Sequence, residues 1–285
     1  MIHDKEENIL VSLKKGDKKI IKRNNKLYKK FSDHIGKIPL VLISPDDRNL
    51  IIEGSETRRK FIDGIISQTD KEYLNNLIDY NKTLKQRNAL LKMFYDNLEN
   101  VRKTIDIYDK QLSSDAQKIY EKRTKFLSEF IPIFKTRYKE LSNDKENVEI
   151  KHKSDISADQ NLYKLLKNNL EKDLRFQYTT TGIHKDDLNL ILDNFPIKKY
   201  GSQGQQKTFL IALKLAQFDY LSKLDSNPIL LLDDIFDKLD DTRVRQIISL
   251  VNEEKFNQIF ISDTNKKRSE NIIKKVNKSY KIFEI

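Results

Sequence analysis

Two neighbouring carboxylates close an apolar run in this chain: Ile229-Leu230-Leu231-Leu232 is followed directly by Asp233-Asp234. Four apolar residues in succession predict a buried strand, and strands of open α/β sheets deliver their last side chains to the crevice where such sheets bind ligands. There Asp233 is suited to hold Mg²⁺, directly or through water. Asp234 is suited to orient or deprotonate a water that attacks a phosphoryl group. Taken alone, an acidic cap on a strand would look the same. About thirty residues earlier, Gly201-Ser202-Gln203-Gly204-Gln205 runs into an apolar helix over 209–216. A serine and small residues at a helix N-terminus put a hydroxyl and free N–H groups where the helix dipole favours a terminal phosphate. Two other chemistries use overlapping residues. Asp186 and Asp187 together with Asp233 and Asp234 could bridge two metals as in a nuclease. His184 reads as a structural polar group beside a turn rather than a base.

The elements that must position these residues follow from patterning. Residues 9–13 and 19–22 alternate like strands, with Asn24-Asn25 placed for a hairpin turn before Lys26-Leu27-Tyr28. Residues 39–43 predict a buried strand ending in the turn Ser44-Pro45-Asp46-Asp47. Ser55 is placed to cap a helix that buries Phe61, Ile62, Ile65 and Ile66. From 70 to about 141 only Pro132 interrupts a helical composition, and its apolar positions predict two or three packed helices rather than a long coiled coil. A polar stretch, 143–159, leads to a helix through Leu162, Leu165, Leu166 and Leu170. The chain then alternates: strand 187–192, helix 205–224, strand 229–232, helix 242–253, strand 258–262, a basic helix around 266–268 and strand 280–285. Strands alternating with helices imply a parallel sheet.

The ordered set of loop, helix, apolar strand, Asp-Asp and then Asp237-Lys238-Leu239-Asp240 resembles the ABC ATPases. The loop resembles their signature, with Ser202, Gly204 and Gln205 matching by position and Gln203 standing where many relatives have a second glycine. Asp233-Asp234 resembles their Walker B motif, and Asp237 and Asp240 fall where the family has its D-loop. Within that superfamily, several further segments resemble the RecF family: Ile43-Ser44-Pro45-Asp46-Asp47, Arg58-Arg59-Lys60-Phe61-Ile62-Asp63, Gln86-Arg87-Asn88-Ala89-Leu90-Leu91 and Gly182-Ile183-His184-Lys185-Asp186-Asp187-Leu188. Ile183 stands where the family usually has proline. Asp263 stands where other ABC ATPases place a switch histidine.

The resemblance implies an α/β, ABC-ATPase-like sheet domain built from both chain ends with an inserted α-helical lobe. The expected division is 1–54 and 176–285 for the ATPase lobe and 55–175 for the helical lobe. It also implies ATP and Mg²⁺ as cofactors, an ATP-dependent homodimer clamping duplex, gapped or junction DNA, other recombination mediators as partners, and slow hydrolysis serving replication, gap repair and the SOS response. In that arrangement Ser202, Gln203, Gly204 and Gln205 cap, in trans, a nucleotide held by another subunit. The motif Gly-x-x-x-x-Gly-Lys-Ser/Thr, whose backbone would cradle the phosphates, occurs nowhere in the 285 residues. The expectation is therefore a chain that starts partway through the first lobe. Its alternative is a shortened, non-catalytic DNA- or protein-binding module without ATP binding. A relative of the SMC kind would need much longer arms.

Composition agrees with a nucleic-acid partner. The net charge is +11, and residues 14–30 hold nine Lys/Arg against one acid, Asp17, which is +8 of the whole. Lys18, Lys19, Lys22 and Arg23 in that run, and Arg58 and Arg59 on the helix after Ser55, are the candidate DNA contacts. A general lysine bias, or a solvated helix face for the two arginines, reads equally well. With 38% hydrophobic residues the chain can bury a core, and no cysteine is available for a disulfide or a thiolate metal site. No apolar run reaches membrane-spanning length and no signal peptide opens the chain, so the expected location is cytoplasmic.

Overall fold

A computed structural model describes residues 6–17, 19–93, 98–157, 161–224, 227–234, 249, 256–264, 270 and 279–283, with only the backbone described over 98–102. The chain forms two compact units, Met1–Ile38 and Pro39–Ile285.

The first unit is an antiparallel meander of β1 (Ile9–Ser12), β2 (Ile20–Arg23) and β3 (Lys26–Leu27). Asn24 and Asn25 both take left-handed φ, 49° and 63°. That is what a two-residue turn needs if its twist is to match the strands it joins, and asparagine tolerates the conformation better than other side chains. The basic run does lie on this meander: Lys19 and Lys22 are exposed, and Arg23 Nε donates to Glu7 Oε2 at 2.6 Å. Lys18 lies outside the described residues.

In the second unit, strands from distant parts of the chain meet. β4 (Leu40–Ile43), β8 (Ile229–Asp233) and β9 (Ile259–Ser262) form a parallel sheet with β8 in the middle, Ile43 opposite Leu232 and Asp233 opposite Ser262. Residues 39–43 were expected to be buried throughout. Instead β4 alternates: Val41 and Ile43 are buried, while Leu40 and Leu42 are 38% and 41% exposed. Successive side chains on a strand point to opposite faces, and only one face of this edge strand meets the core.

After β4 come α1 (Asn49–Ile52) and α2 (Ser55–Thr69), whose N-cap is Gly54, so Ser55 begins the helix and caps nothing. Then α3 (Lys71–Met93) and α4 (Leu98–Ser142) pack as an antiparallel pair, Asp70 meeting Lys122 and Arg87 meeting Asp109. Pro132 does not break α4, which runs for 45 residues, about 67 Å at 1.5 Å per residue. Pro132 and Ser128 are both exposed, so the carbonyl deprived of its donor is within reach of water. Beyond its pairing with α3, α4 turns a stripe of Phe126, Phe130, Phe134 and Tyr138, four residues apart, into the core.

The polar stretch 143–159 contains a strand that patterning passed over. β5 (Val148–Lys153) pairs antiparallel with β6 (Asp187–Leu192), which pairs in turn with β7 (Phe195–Pro196). Residues 187–192 thus belong to an antiparallel sheet, and among the described residues the parallel pairings are those of β4, β8 and β9. The helix expected through Leu170 is two helices, α5 (Leu162–Asn168) and α6 (Leu170–Phe176), divided at Asn169. The short α7 (Ile197–Tyr200) precedes α8 (Gln203–Ser222), which packs against α4 with Phe209 4.8 Å from the Phe134 ring. No strand forms over 280–283, against expectation. Almost all of the helix expected over 242–253, and the basic helix around 266–268, lie outside the described residues, as do Asp237 and Asp240.

Candidate functional site

The loop before α8 is organised before any ligand arrives. Ser202 is the N-cap: its Oγ accepts from the Gln205 N–H at 3.2 Å, and its own N–H donates to Gln205 Oε1 at 2.8 Å. This reciprocal box satisfies two backbone donors that a helix start otherwise leaves open. Gln205 Nε2 donates to Glu146 Oε1 at 2.9 Å, and the Tyr138 hydroxyl donates to the other oxygen of Glu146, which ties the loop to α4. Gly201 is required sterically, since a Cβ there would fall 2.6 Å from Ile197 Cγ1 and 2.8 Å from the Ile197 carbonyl oxygen. Ser202 and Gln203 are exposed.

Asp233 ends β8 with its side chain exposed, and its Oδ1 accepts from the Ser262 hydroxyl at 2.6 Å. Asp234 follows with φ 46°, its N–H donating to the Ser262 carbonyl at 3.1 Å. Ser262 therefore holds both residues from β9. Sequence reasoning missed it, although a hydroxyl residue closing the strand parallel to the aspartate strand was a readable signal.

The loop and the aspartates have different supports, Glu146 for the loop and Ser262 for the aspartates. Lys214, midway along α8, ties the helix to β4 and the turn after it: its Nζ donates to the Leu42 carbonyl at 2.9 Å and lies 2.7 Å from Asp47 Oδ1. Ser202 is twelve residues from Lys214, about 18 Å farther along the helix axis.

Asp186 and Asp187 are committed elsewhere. Asp186 Oδ2 accepts from Arg123 Nη1 at 2.8 Å, while Asp187 takes a two-pronged contact from Arg58, 2.7 Å to Oδ1 and 3.1 Å to Oδ2. Both carboxylates are thus engaged by arginines. Among the described residues no group of three or more His, Asp or Glu is placed to hold a metal ion. Arg58 also donates to the Leu50 and Glu53 carbonyls, and Arg59 donates to the Asp186 carbonyl at 2.7 Å. Burial, and then the charge of Arg123, lower the Arg59 pKa. The two arginines are thus ties between elements rather than a solvated face.

Two buried arginines, both missed by sequence reasoning as anchors, hold the segment between α6 and β6. Arg87 joins Asp109, Asp173 and Thr179, and Arg123 joins Asp63, Asp186 and the Ile183 carbonyl. Burial works against the Arg123 charge, but Asp63, Tyr73 and Asp186 outweigh it and raise its pKa. His184 bonds the Tyr80 hydroxyl at 2.8 Å and the Thr179 carbonyl at 3.0 Å. Burial, with Lys185 and Arg59 nearby, lowers its pKa to about 4, so the ring is neutral at pH 7.

A parallel sheet that joins β4 to β8 and β9, a capped loop opening α8 and an aspartate pair closing β8 make up a mixed α/β protein with an ABC-ATPase-like fold. No protein-family model matches the chain. Among curated proteins it is 55% identical over 284 residues to the DNA replication and repair protein RecF of Flavobacterium johnsoniae, covering 99% of this chain and 79% of that protein. It is 48% identical over 280 residues to the protein of the same name from Bacteroides thetaiotaomicron, covering 98% and 75%. Among solved structures it superposes on the recombination mediator protein RecF-ATP in the RecFOR pathway with a TM-score of 0.81 and 30% identity, covering 91% of this chain and 71% of that one. The corresponding RecF-ATPrS structure gives 0.80 and 29%. The chain belongs to the RecF family. Among the described residues no helix is long and apolar enough to cross a membrane.

Proposed function

We propose that this chain is a cytoplasmic DNA-binding repair protein of the RecF type, whose ATP switch is assembled between subunits. The observation that carries this reading is that two parts of a nucleotide site stand ready: the Ser202 loop, boxed by Gln205 at the start of α8, and Asp233, fixed by Ser262 at the end of β8. In a dimer, Ser202, Gln203, Gly204 and Gln205 of one subunit would cap the γ-phosphate of a nucleotide held by the other. Asp237 and Asp240 would line the junction between the subunits, and residues 55–175 would form the helical lobe.

The aspartates fit Mg²⁺ as part of such a site. Asp233 presents an exposed carboxylate whose orientation is fixed by Ser262, and Mg²⁺ is usually held by one or two carboxylates together with substrate phosphates rather than by a protein cage. Mg²⁺ bound to ATP supplies charge neutralisation on the phosphates. Asp234, turned off the strand by its left-handed φ, would position the attacking water. Having aspartate rather than glutamate at this place agrees with slow hydrolysis. A phosphate cradle of the Gly-x-x-x-x-Gly-Lys-Ser/Thr type is not among the 285 residues, so these side chains make up a part of the site and not the whole.

Lys19 and Lys22, exposed on the meander, and the net charge of +11 support DNA as the partner. Junction or gapped duplexes, other recombination mediators and a place in the SOS response follow from the same reading. Fluorescence anisotropy with labelled gapped and intact duplexes tests it across a salt series. The logarithm of the affinity should fall linearly with the logarithm of salt concentration, and Lys19→Gln/Lys22→Gln should flatten the slope by about two. Absence of binding at low salt would overturn the proposal.

A further inference from the structure

An aromatic pair stands exposed at the end of α6, on the segment that the buried arginines hold. Phe176 and Tyr178 are 45% and 43% exposed, with ring centroids 5.9 Å apart and planes 40° apart. Gln177 between them takes a left-handed φ of 59°, which ends the helix and brings the flanking rings side by side. Each ring carries a cation: Arg175 Cζ lies 5.0 Å from the Phe176 centroid, and Lys185 Nζ lies 4.9 Å from that of Tyr178.

The base of this pair is rigid. Thr179 N and Oγ1 both donate to Asn88 Oδ1, Thr180 N and Oγ1 both donate to Asp173 Oδ1, and Arg87 joins Asp173 to Thr179. The buried arginine network therefore holds two rings in solvent rather than letting them fold into the core. Apolar surface displayed in this way, on a fixed support and flanked by positive charge, is a recognition feature.

We infer that Phe176 and Tyr178 form a stacking platform for unpaired bases of a single-stranded nucleic acid, with Arg175 and Lys185 leaving the rings to meet its phosphates. Aromatic faces accept any base, and neighbouring cations track the backbone, which is how sequence-tolerant single-strand binding is built. The exposed charges over 171–185 favour a polyanion, with Lys172, Arg175 and Lys185 against Glu171 alone. Duplex bases are already stacked on one another and cannot use the platform. A second exposed pair, Phe195 and Tyr200, lies where β7 leads into α7, and among the described contacts the only cation over it is Lys199, 5.3 Å from the Tyr200 centroid. The inference rests on the DNA-binding reading above and adds to it a place for an unpaired strand.

The test compares Phe176→Ala and Tyr178→Ala with the parent chain, using a labelled oligothymidylate and an intact duplex. Each variant should weaken oligothymidylate binding by roughly five- to a hundredfold, as loss of a stacked base does, and leave duplex affinity within about twofold. Tyr178→Trp gives a direct readout, because the chain has no other tryptophan: its emission should be quenched by oligothymidylate and not by duplex. Unchanged oligothymidylate affinity in both alanine variants, or an equal fall for duplex, would overturn the platform while duplex binding by the parent upholds the DNA reading. A parent chain that binds neither DNA would overturn both.

Discussion

Arg123 Nη1 lies 2.8 Å from Asp186 Oδ2, with each side chain only 1% exposed. The pair joins α4 to the turn that leads into β6, and Asp63 on α2 completes the set. A buried ion pair is weak evidence of net stabilisation, since desolvating both charges costs nearly what their attraction returns. Breaking one is another matter, because a carboxylate is then left buried without its partner. Arg123→Met should lower unfolding free energy by about 3–5 kcal/mol in urea denaturation. A midpoint equal to that of the parent chain would show that Asp186 does not depend on Arg123.

Gly182 has φ 125° and ψ 178°, a region that only glycine enters readily. A Cβ there would also fall 2.7 Å from the Tyr80 hydroxyl. Gly182→Ala should therefore cost about 1–3 kcal/mol in thermal unfolding, from backbone strain and displacement of the Tyr80–His184 contact. No change in melting temperature would contradict the tight packing of this turn.

His184 makes stability depend on pH. Its folded pKa is lowered from 6.5 to about 4, so between those values the unfolded chain binds a proton that the folded chain refuses. Stability from this residue is complete above pH 6.5 and is lost as the pH falls toward 4. His184→Gln should remove that part of the slope in melting temperature against pH. A slope identical in parent and variant would show that another group is responsible.

Much of the fold around the Ser202 loop and the aspartates was legible because its signals are local. The Asn24-Asn25 turn, the β8 run and the Ser202 cap each depend on residues within a few positions of one another. What was missed depends on distance. β5 is masked by the charges alternating with Val148 and Ile150, and only its pairing with β6 makes it a strand. Leu40 and Leu42 looked buried because an apolar run does not tell which of its faces meets a core. Arg87 and Arg123 sit among apolar positions of α3 and α4, where their partners Asp173 and Asp186 are 86 and 63 residues away. Arginine within an apolar helical stripe was the available sign of an internal anchor. The roles given to Asp233, Asp234 and the Ser202 loop stand as proposals, with their geometry now defined.

Ser202→Ala removes one partner of the box that opens α8, and should cost about 1 kcal/mol of stability in urea denaturation. Duplex binding should be unchanged, since the loop is assigned to nucleotide and not to DNA. A large loss of DNA affinity without unfolding would reassign the loop.

The central claim is that this chain supplies the Mg²⁺ ligand and the cap in trans but no phosphate cradle. Calorimetric titration of the chain with Mg-ATP, beside its Asp233→Ala variant, tests that most directly. The account predicts no binding heat from either protein, with duplex affinity by anisotropy the same for both. Micromolar Mg-ATP binding by the parent chain that disappears in Asp233→Ala would contradict it, because a complete nucleotide site would then lie within these 285 residues.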